Sequence, residues 1–158
     1  MNKLKVATVF SGIGSIEQAL TRMGIDFEIV FACDNGERTI NESKEQIEKY
    51  ALENNFTDLE KQNYVKKLYS NTKKRNYVKE SYFANYDIKE ENWFDDIRFI
   101  NGNQYKNKVD LFVGGSPCQS FSNMGKRGGL EDTRGTLFYE FARLVSEIQP
   151  KVFIYRNL

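Results

Sequence analysis

Short apolar runs alternate with amphipathic stretches near both ends of the chain. The apolar runs are rich in β-branched and aromatic residues and predict four strands, at 5–10, 27–32, 110–113 and 152–155. Apolar residues at helical spacing in 16–23 and 137–148 predict two helices. Ser15 is predicted to cap the first helix with Gln18 as its capping-box partner, and Pro150 to end the second. Such alternation indicates a doubly wound α/β sheet with parallel strands.

The segment 37–85 differs in composition from the rest of the chain. It is rich in asparagine, lysine, glutamate and tyrosine, and its apolar periodicity predicts only one helix, around 40–52. Between Lys61 and Lys79 it combines basic residues with tyrosines and contains no acidic residue. Such residues can contact phosphates and stack on bases, but a charge run alone more often marks a solvated surface. We therefore interpret 37–85 as a solvated insertion within a single domain, 1–158.

Length, charge and composition limit the classes of protein to consider. A chain of 158 residues with a net charge of +1 suffices for one domain with a core, and it is not a polycation. Two cysteines provide no disulfide framework, and no segment resembles a signal peptide or a membrane span, so we expect a cytoplasmic protein. The absence of histidine excludes imidazole-activated nucleophiles and the common zinc sites, and we expect no metal.

Cys118 follows the third predicted strand, in the sequence Gly-Gly-Ser-Pro-Cys of 114–118. The glycine pair permits a sharp turn and Pro117 stiffens the loop, so the thiol is held at a strand end. A thiolate nucleophile needs a partly exposed, electropositive setting. The following loop offers three basic residues, Lys126, Arg127 and Arg134. A lone cysteine is more often an inert apolar residue, but the polar loop favours exposure, and we predict that Cys118 is a nucleophile.

The glycine-containing turn 10–14, Phe-Ser-Gly-Ile-Gly, stands between the first predicted strand and the first helix. Backbone N–H groups at a helix start favour a negatively charged group. Asp34 ends the second strand about twenty residues later, where a carboxylate can hold ribose hydroxyls. A dinucleotide fingerprint has a third glycine where Glu17 stands here, and an acidic side chain disfavours a pyrophosphate. S-adenosyl-methionine, a nucleoside cofactor without phosphates, fits this pattern better.

Two blocks of the chain resemble motifs of the DNA (cytosine-5) methyltransferases. Phe10-x-Gly12-x-Gly14 is similar to the first motif of that family, and Gly115-Ser116-Pro117-Cys118-Gln119-Ser120-Phe121-Ser122 to the fourth. The segment 125–138 is similar to the family's mobile catalytic loop and the helix after it, and 150–154 to the strand before the next motif. The resemblance covers nearly the whole chain apart from 37–85. It implies a Rossmann-like, S-adenosyl-methionine-dependent methyltransferase sheet that is incomplete, with 1–158 as a partial catalytic domain.

The resemblance also implies a set of site residues. The cofactor site would comprise Phe10, Gly12, Gly14, Asp34, Asp87, Ile88 and Leu137, with the ribose on Asp34 and the adenine on the Asp87–Ile88 pair. Cys118 would add to carbon 6 of a cytosine flipped out of double-stranded DNA, so that carbon 5 can accept the methyl group. DNA and loop contacts would come from Gln119, Ser120, Lys126, Arg127 and Arg134, and contacts on the substrate side from Ser116, Pro117 and Asn157.

After the last predicted strand the chain departs from the family pattern. The family has Glu-Asn-Val there, whereas this chain has Arg156-Asn157-Leu158, and the target-recognition region has no counterpart. Arginine keeps its proton and places a positive charge where the family has a carboxylate. We therefore expect an enzyme of restriction–modification type whose present chain is inactive, or nearly so, by itself. A second polypeptide is a candidate source of the missing half.

Three other functions remain open from the sequence. An RNA cytosine-5 enzyme of the same family would share the chemistry, and assays on tRNA and duplex DNA would separate the two. A non-catalytic fragment that binds S-adenosyl-methionine or a partner chain is favoured by Arg156. A thiol-dependent transferase unrelated to nucleic acid is disfavoured by the absence of histidine and by the Pro-Cys-Gln sequence at 117–119.

Overall fold

Parallel strands form the centre of the molecule, in a computed structural model that describes residues 2–115 and 133–156, with the backbone alone for 133–136. The five strands are β1 (Leu4–Val9), β2 (Phe27–Cys33), β3 (Trp93–Phe94), β4 (Leu111–Gly114) and β5 (Val152–Tyr155). They pair in parallel in the order β3-β2-β1-β4-β5. The doubly wound α/β sheet is thereby confirmed. The four predicted strands are present within one residue of their predicted bounds, while β3 was not predicted.

In the described part of the chain, five helices connect these strands. They are α1 (Ser15–Arg22), α2 (Lys44–Glu53), α3 (Asp58–Ser70), α4 (Tyr77–Asn85) and α5 (Thr133–Ile148). Short 3-10 turns occupy Glu90–Asn92, Ile97–Phe99 and Gly102–Tyr105. Within the described ranges, no helix has both the length and the apolar character that a bilayer crossing requires.

Two layers of apolar side chains cover the sheet, one on each face. On one face the rings of Phe112 in β4 and Phe141 in α5 stack with centroids 4.8 Å apart. On the other face Ala32 of β2 packs with Tyr82 of α4 and Trp93 of β3, and all three are fully buried. Because successive side chains of a strand point to opposite faces, β2 contributes to both layers. The sheet is therefore a rigid support whose strand ends can hold a site.

The N-terminus of α1 differs from the predicted capping box. Its N-cap is Gly14 rather than Ser15, with a left-handed φ of 90° and no side-chain cap. The Gln18 N–H donates to the Gly14 carbonyl oxygen at 2.9 Å, so Ser15 is already helical. Glycine occupies the N-cap because it adopts this φ without a Cβ clash. Capping boxes are present instead at the starts of α2 and α3, between Ser43 and Gln46 and between Thr57 and Glu60.

The segment 37–85 folds into α2, α3 and α4, of which the sequence predicts only the first. Val65 and Tyr69 of α3 pack with Ile47 of α2 and with Phe99, which lies outside the segment. The inner side of α3 also includes the buried amide Gln62. Polar and tyrosine side chains in buried positions weaken the apolar periodicity that would reveal a helix, which explains why α3 and α4 were missed.

Most basic residues of the run between Lys61 and Lys79 are paired with carboxylates. Lys66 and Lys79 contact Glu90, Lys74 contacts Glu37, Arg75 contacts Glu80 and Lys61 contacts Glu48. Tyr69 is buried, so its ring cannot stack on a base. These contacts favour the interpretation of the basic run as a structural surface rather than as a phosphate-binding patch.

One edge of the sheet exposes apolar side chains. Val152, Phe153 and Ile154 of β5 are between 47% and 55% exposed, and we call these three residues the β5 edge. Phe138 and Tyr139 on the neighbouring α5 are exposed as well. An exposed apolar edge strand is a surface on which another strand can add. The β5 edge is therefore suited to contact further protein.

Candidate functional site

A cavity of about 530 Å³ lies where the carboxyl ends of β1, β2 and β4 meet. The strand order reverses between β1 and β4, and ligands of open α/β sheets bind at such a switch point. Its described lining residues are Thr8, Val9, Phe10, Ser11, Gly12, Ser15, Ile16, Cys33, Asp34, Asn35, Glu37, Val78, Asp95, Asp96, Ile97, Val113, Gly114, Gly115, Leu137 and Arg156. Four of the predicted cofactor residues, Phe10, Gly12, Asp34 and Leu137, are thus brought together.

The turn after β1 forms one wall of the cavity in a strained backbone conformation. Phe10 has a φ of 53° and Gly12 a φ of 55°. The Ser11 N–H donates to the Cys33 carbonyl oxygen at 3.0 Å, and the Cys33 N–H donates to Ser11 Oγ at 3.1 Å. A left-handed non-glycine residue costs about 1–3 kcal/mol and persists only where the surroundings hold it. The end of β2 therefore fixes the turn against the cavity.

Asp34 joins this turn to the loop after β2. Its Oδ2 accepts a hydrogen bond from the Gly12 N–H at 2.9 Å, and its Oδ1 accepts one from the Gly36 N–H at 2.8 Å. Among the described residues no cation pairs with this carboxylate. Each carboxylate oxygen has a second lone pair, so Asp34 can still accept hydrogen bonds from a ligand's hydroxyl groups.

Gly14 lies behind the cavity wall rather than on it. The Tyr86 hydroxyl of the α4 C-cap donates to the Gly14 carbonyl oxygen at 2.8 Å. A Cβ at Gly14 would lie 2.2 Å from Tyr86 Cε2, so no side chain fits there. The structure therefore assigns Gly14 to the packing of the turn on α4, while the cavity is lined by its neighbours.

Glu17 is buried beneath the turn, with 1% of its surface exposed. Its Oε1 accepts hydrogen bonds from Thr8 Oγ1 at 2.9 Å and from the Tyr82 hydroxyl at 2.6 Å. Burial and the nearby Glu17 carboxylate raise the pKa of Tyr82, so this hydroxyl stays a donor. Glu17 thus connects α1 to β1 and to α4, and it is not among the described cavity residues.

Asp87 and Ile88, predicted to receive an adenine, are not brought to the cavity. Asp87 is exposed, and Ile88 packs against the cluster that contains Trp93. The acidic and apolar residues that line the cavity after β3 are Asp95, Asp96 and Ile97. A two-residue strand has no detectable periodicity, so the sequence pattern did not reveal which Asp-Ile pair follows it. The Asp-Ile sequence itself at 96–97 was the available signal.

The end of β4 reaches the cavity beside Arg156. The Arg156 N–H donates to the Gly114 carbonyl oxygen at 2.7 Å, and both residues line the cavity. A Cβ at Gly115 would lie 2.6 Å from the Arg156 carbonyl oxygen, so close packing requires a glycine there. Gly115, the last described residue before Cys118, therefore lies at the cavity beside Arg156.

Several predicted site residues lie outside the part of the chain that the structure describes. They are Ser116, Pro117, Cys118, Gln119, Ser120, Lys126, Arg127, Asn157 and the side chain of Arg134. Their roles stay predictions. Among the described residues, no group of three or more cysteine, aspartate or glutamate side chains is arranged to hold a metal ion.

Cys33 lines the cavity but is unsuited to nucleophilic chemistry. It is 3% exposed. Burial raises the pKa of the Cys33 thiol well above its ordinary value, and Asp96, Asp34 and Asp95 raise it further. Because the thiolate is the reactive form, this cysteine is inert at neutral pH.

Comparisons with known proteins identify the family of the chain. A family model for C-5 cytosine-specific DNA methylase matches residues 57–158. Over 158 residues the chain is 34% identical to the orphan methyltransferase M.SPRI of Bacillus phage SPR and covers 27% of that protein. Over 63 residues, 40% of this chain and 15% of the relative, it is 52% identical to the type II methyltransferase M.Eco47II of Escherichia coli.

A solved structure supports the fold. The crystal structure of the S. pombe Dnmt2 methyltransferase matches with a TM-score of 0.51 and 19% identity, over 99% of this chain and 36% of that one. At this identity the likeness shows the fold alone, and it confirms the predicted Rossmann-like sheet. The chain spans about a quarter of the length of the relatives that match it throughout. Because the family model covers more than half of the chain, the protein belongs to the C-5 cytosine-specific DNA methylases.

Proposed function

We propose that the protein transfers a methyl group from S-adenosyl-methionine to carbon 5 of cytosine in DNA, as part of a restriction–modification type enzyme. The observation that carries the proposal is the continuous cavity from Asp34 to Gly115. It joins a carboxylate suited to a nucleoside to the strand end that precedes Cys118. The family model for C-5 cytosine-specific DNA methylase supports this reaction, and the name of M.Eco47II, a type II methyltransferase, supports the restriction–modification type.

The charges around the cavity fit S-adenosyl-methionine better than a phosphate-bearing cofactor. Its described ionisable lining residues are Asp34, Glu37, Asp95, Asp96, Cys33 and Arg156. Glu37, Asp95 and Asp96 pair with Lys74, Arg38 and Arg98. Asp34 pairs with no cation among the described residues, so it favours a cationic ligand with hydroxyl groups over a pyrophosphate. Apolar lining residues such as Phe10, Ile16 and Leu137 suit the face of an adenine.

We assign the cofactor contacts as follows. Asp34 would accept hydrogen bonds from the ribose hydroxyls, as its fixed position at two backbone N–H groups allows. Asp96 and Ile97 would take the place of the Asp87–Ile88 pair at the adenine, because they line the cavity and the earlier pair does not. The proposed cofactor contacts then come from the carboxyl ends of three strands, β1, β2 and β3.

Chain length keeps the proposed nucleophile near the cavity. Cys118 is three residues from Gly115, so it stays within about 11 Å of a cavity residue in any conformation. Its thiolate would form a bond to carbon 6 of cytosine, and the electrons of the 5,6 double bond make carbon 5 nucleophilic. When bound, S-adenosyl-methionine would supply an electrophilic methyl group to carbon 5 and be left as the thioether S-adenosyl-homocysteine. Removal of the carbon-5 proton by a base then restores the double bond and releases the Cys118 thiolate.

Cofactor binding by the chain tests the first part of this proposal. We expect Asp34→Asn to weaken binding of S-adenosyl-methionine by about 10- to 100-fold, because charge-assisted hydrogen bonds contribute about 1.5–3 kcal/mol. Isothermal titration calorimetry measures the change. Asp26→Asn is the matched control, since Asp26 is exposed and not among the described cavity residues. Equal affinities of the two variants would contradict the role of Asp34.

The second part of the proposal concerns methyl transfer by the purified chain alone. We expect the purified chain to transfer no tritium from labelled cofactor to duplex DNA above the level of a Cys118→Ser variant. Arg156 holds a positive charge at the cavity where the family has a carboxylate, and the relatives are about four times as long. We propose that further protein, in a second polypeptide, covers the β5 edge and completes the enzyme. Transfer that depends on Cys118 in the isolated chain would contradict this.

Arg156 also favours a second candidate function, that of a non-catalytic fragment that binds S-adenosyl-methionine or a partner. A guanidinium group cannot replace the carboxylate that the family has at this position. Cofactor binding without methyl transfer, even after addition of a complementing polypeptide, would favour this function over the enzyme.

A further inference from the structure

Two buried carboxylates, Asp95 and Asp96, form an acidic wall on the cavity. Each is held by a side chain from the segment 37–85. Arg38 Nη2 donates to Asp95 Oδ1 at 2.7 Å, and the Tyr69 hydroxyl donates to Asp96 Oδ2 at 2.8 Å. Arg38 and Tyr69 are themselves buried. The segment that the sequence marks as a solvated insertion thus reaches the back of the proposed adenine site.

Arg38 connects three parts of the site. Its Nε donates to the Asn35 carbonyl oxygen at 2.9 Å, and its Nη1 donates to the Tyr69 carbonyl oxygen at 3.3 Å. Its guanidinium carbon lies 5.0 Å from the centre of the Tyr69 ring. Asn35 follows Asp34, so the guanidinium group ties the loop of the proposed ribose carboxylate to the acidic wall. The planar guanidinium group of arginine can donate to three separate acceptors in fixed directions, which the ammonium group of a lysine cannot do as well.

Asp96 is held from two sides. The Arg98 Nη2 donates to Asp96 Oδ2 at 2.7 Å, while the Tyr69 hydroxyl approaches the same oxygen from α3. Burial and Asp96 raise the pKa of Tyr69, so the hydroxyl remains a donor at any working pH. Arg98 belongs to the 3-10 turn that Asp96 itself caps. Tyr69 is therefore the contact that ties the carboxylate to a separate element.

The wall also keeps an acceptor for a ligand. Asp95 Oδ1 accepts from Arg38 and from Trp93 Nε1, whereas Asp95 Oδ2 accepts no hydrogen bond from a described residue. A carboxylate wall with acceptor capacity selects a ligand edge with an amino group over one with a carbonyl oxygen. The exocyclic amino group of adenine is such an edge.

We infer that Arg38 and Tyr69 are positioning residues, which hold the Asp95–Asp96 wall so that it distinguishes the 6-amino group of the cofactor's adenine. The inference rests on the proposed function, because it takes the cavity as the S-adenosyl-methionine site. Recognition groups act only when a supporting shell holds them within about 0.5 Å. Loss of that shell should therefore reduce selectivity between bases before it reduces binding in general.

The test compares two ligands that differ at carbon 6 of the base, S-adenosyl-homocysteine and S-inosyl-homocysteine. We expect Tyr69→Phe to weaken binding of the adenosyl ligand about tenfold and of the inosyl ligand less than about threefold, each measured by calorimetry. Tyr64→Phe is the matched control, because Tyr64 lies on the same helix and its ring stacks on Tyr50 without a hydrogen bond to a described residue. Arg38→Lys, which keeps the charge and loses the fork, should show the same selective loss.

Thermal unfolding of each variant accompanies the titrations. A selective loss for the adenosyl ligand, with Tyr64→Phe unchanged, supports the inference. Equal losses for both ligands, or none, would overturn it and leave Arg38 and Tyr69 as contacts of the fold alone. If the unaltered chain binds neither ligand, the proposed function fails instead. If the Tyr69→Phe chain does not fold, the titrations of Arg38→Lys decide the test.

Discussion

Gly14→Ala is expected to destabilise the chain by about 2–4 kcal/mol and to abolish cofactor binding. The backbone φ of 90° is one that alanine adopts at a cost. The new Cβ would also lie 2.2 Å from Tyr86 Cε2, in a ring whose hydroxyl donates to Gly14 itself. Relief of this clash must move the Tyr86 ring, which breaks its hydrogen bond to Gly14, or the turn that contains Gly12. Urea unfolding and calorimetry with S-adenosyl-methionine measure the two effects.

Gly24→Ala separates the backbone cost from the clash. Gly24 has a φ of 69°, and a Cβ there would have no neighbour within 4 Å, so the variant retains only the backbone penalty of about 1–2 kcal/mol. It is not among the described cavity residues, and cofactor affinity should stay unchanged. A second variant, Gly14→Ala with Tyr86→Ala, removes the ring and should recover binding in part. Equal unfolding free energies for Gly14→Ala and Gly24→Ala would show that the Tyr86 contact does not matter.

Cys118→Ser is expected to eliminate the covalent complex with duplex DNA that contains 5-fluorocytosine. In any active assembly that contains this chain, the proposed mechanism adds the thiolate to carbon 6, and fluorine at carbon 5 blocks the proton removal that would release it. A serine hydroxyl is a far weaker nucleophile at neutral pH without an activating base, and the chain has no histidine to supply one. Denaturing electrophoresis of the trapped complex measures the outcome.

Cys33→Ala is the control for that experiment. Burial raises the pKa of the Cys33 thiol, so Cys33 cannot supply the thiolate, and the Cys33→Ala chain should still form the trapped complex. The same two variants also test how accessible each thiol is to iodoacetamide at pH 8. The Cys118→Ser chain should react only after unfolding, whereas the Cys33→Ala chain should react while folded. Trapping that survives Cys118→Ser would exclude Cys118 as the nucleophile.

Local sequence patterns were sufficient for much of the sheet. The strands around Val6, Phe31 and Phe112 are continuous apolar runs, as expected of strands buried on both faces. The glycine-containing turn and Asp34 were also predicted from spacing, and they line one cavity. The strand β3 was missed because two residues are too few to show a hydrophobic periodicity. For the same reason, the sequence did not reveal which Asp-Ile pair lies at the cavity.

The segment 37–85 shows where sequence patterns were insufficient. Its lysines and asparagines indicate a solvated surface, and several of the lysines do pair with carboxylates. The same segment also contributes Arg38, Tyr69 and Tyr82, which are buried and form hydrogen bonds behind the site. Each of these partners is far away in the sequence, so no local pattern could reveal them.

The sequence by itself determined the parallel α/β architecture, the turn at 10–14, the carboxylate at Asp34 and the chemistry open to a chain without histidine. These features depend on local periodicity, residue type and short spacing, all of which can be read along the chain. Only the tertiary structure decided that Gly14 packs on Tyr86, that Asp96–Ile97 rather than Asp87–Ile88 lines the cavity, and that Arg156 stands beside Gly115. Those contacts join residues from separate elements, and their positions depend on how the elements pack.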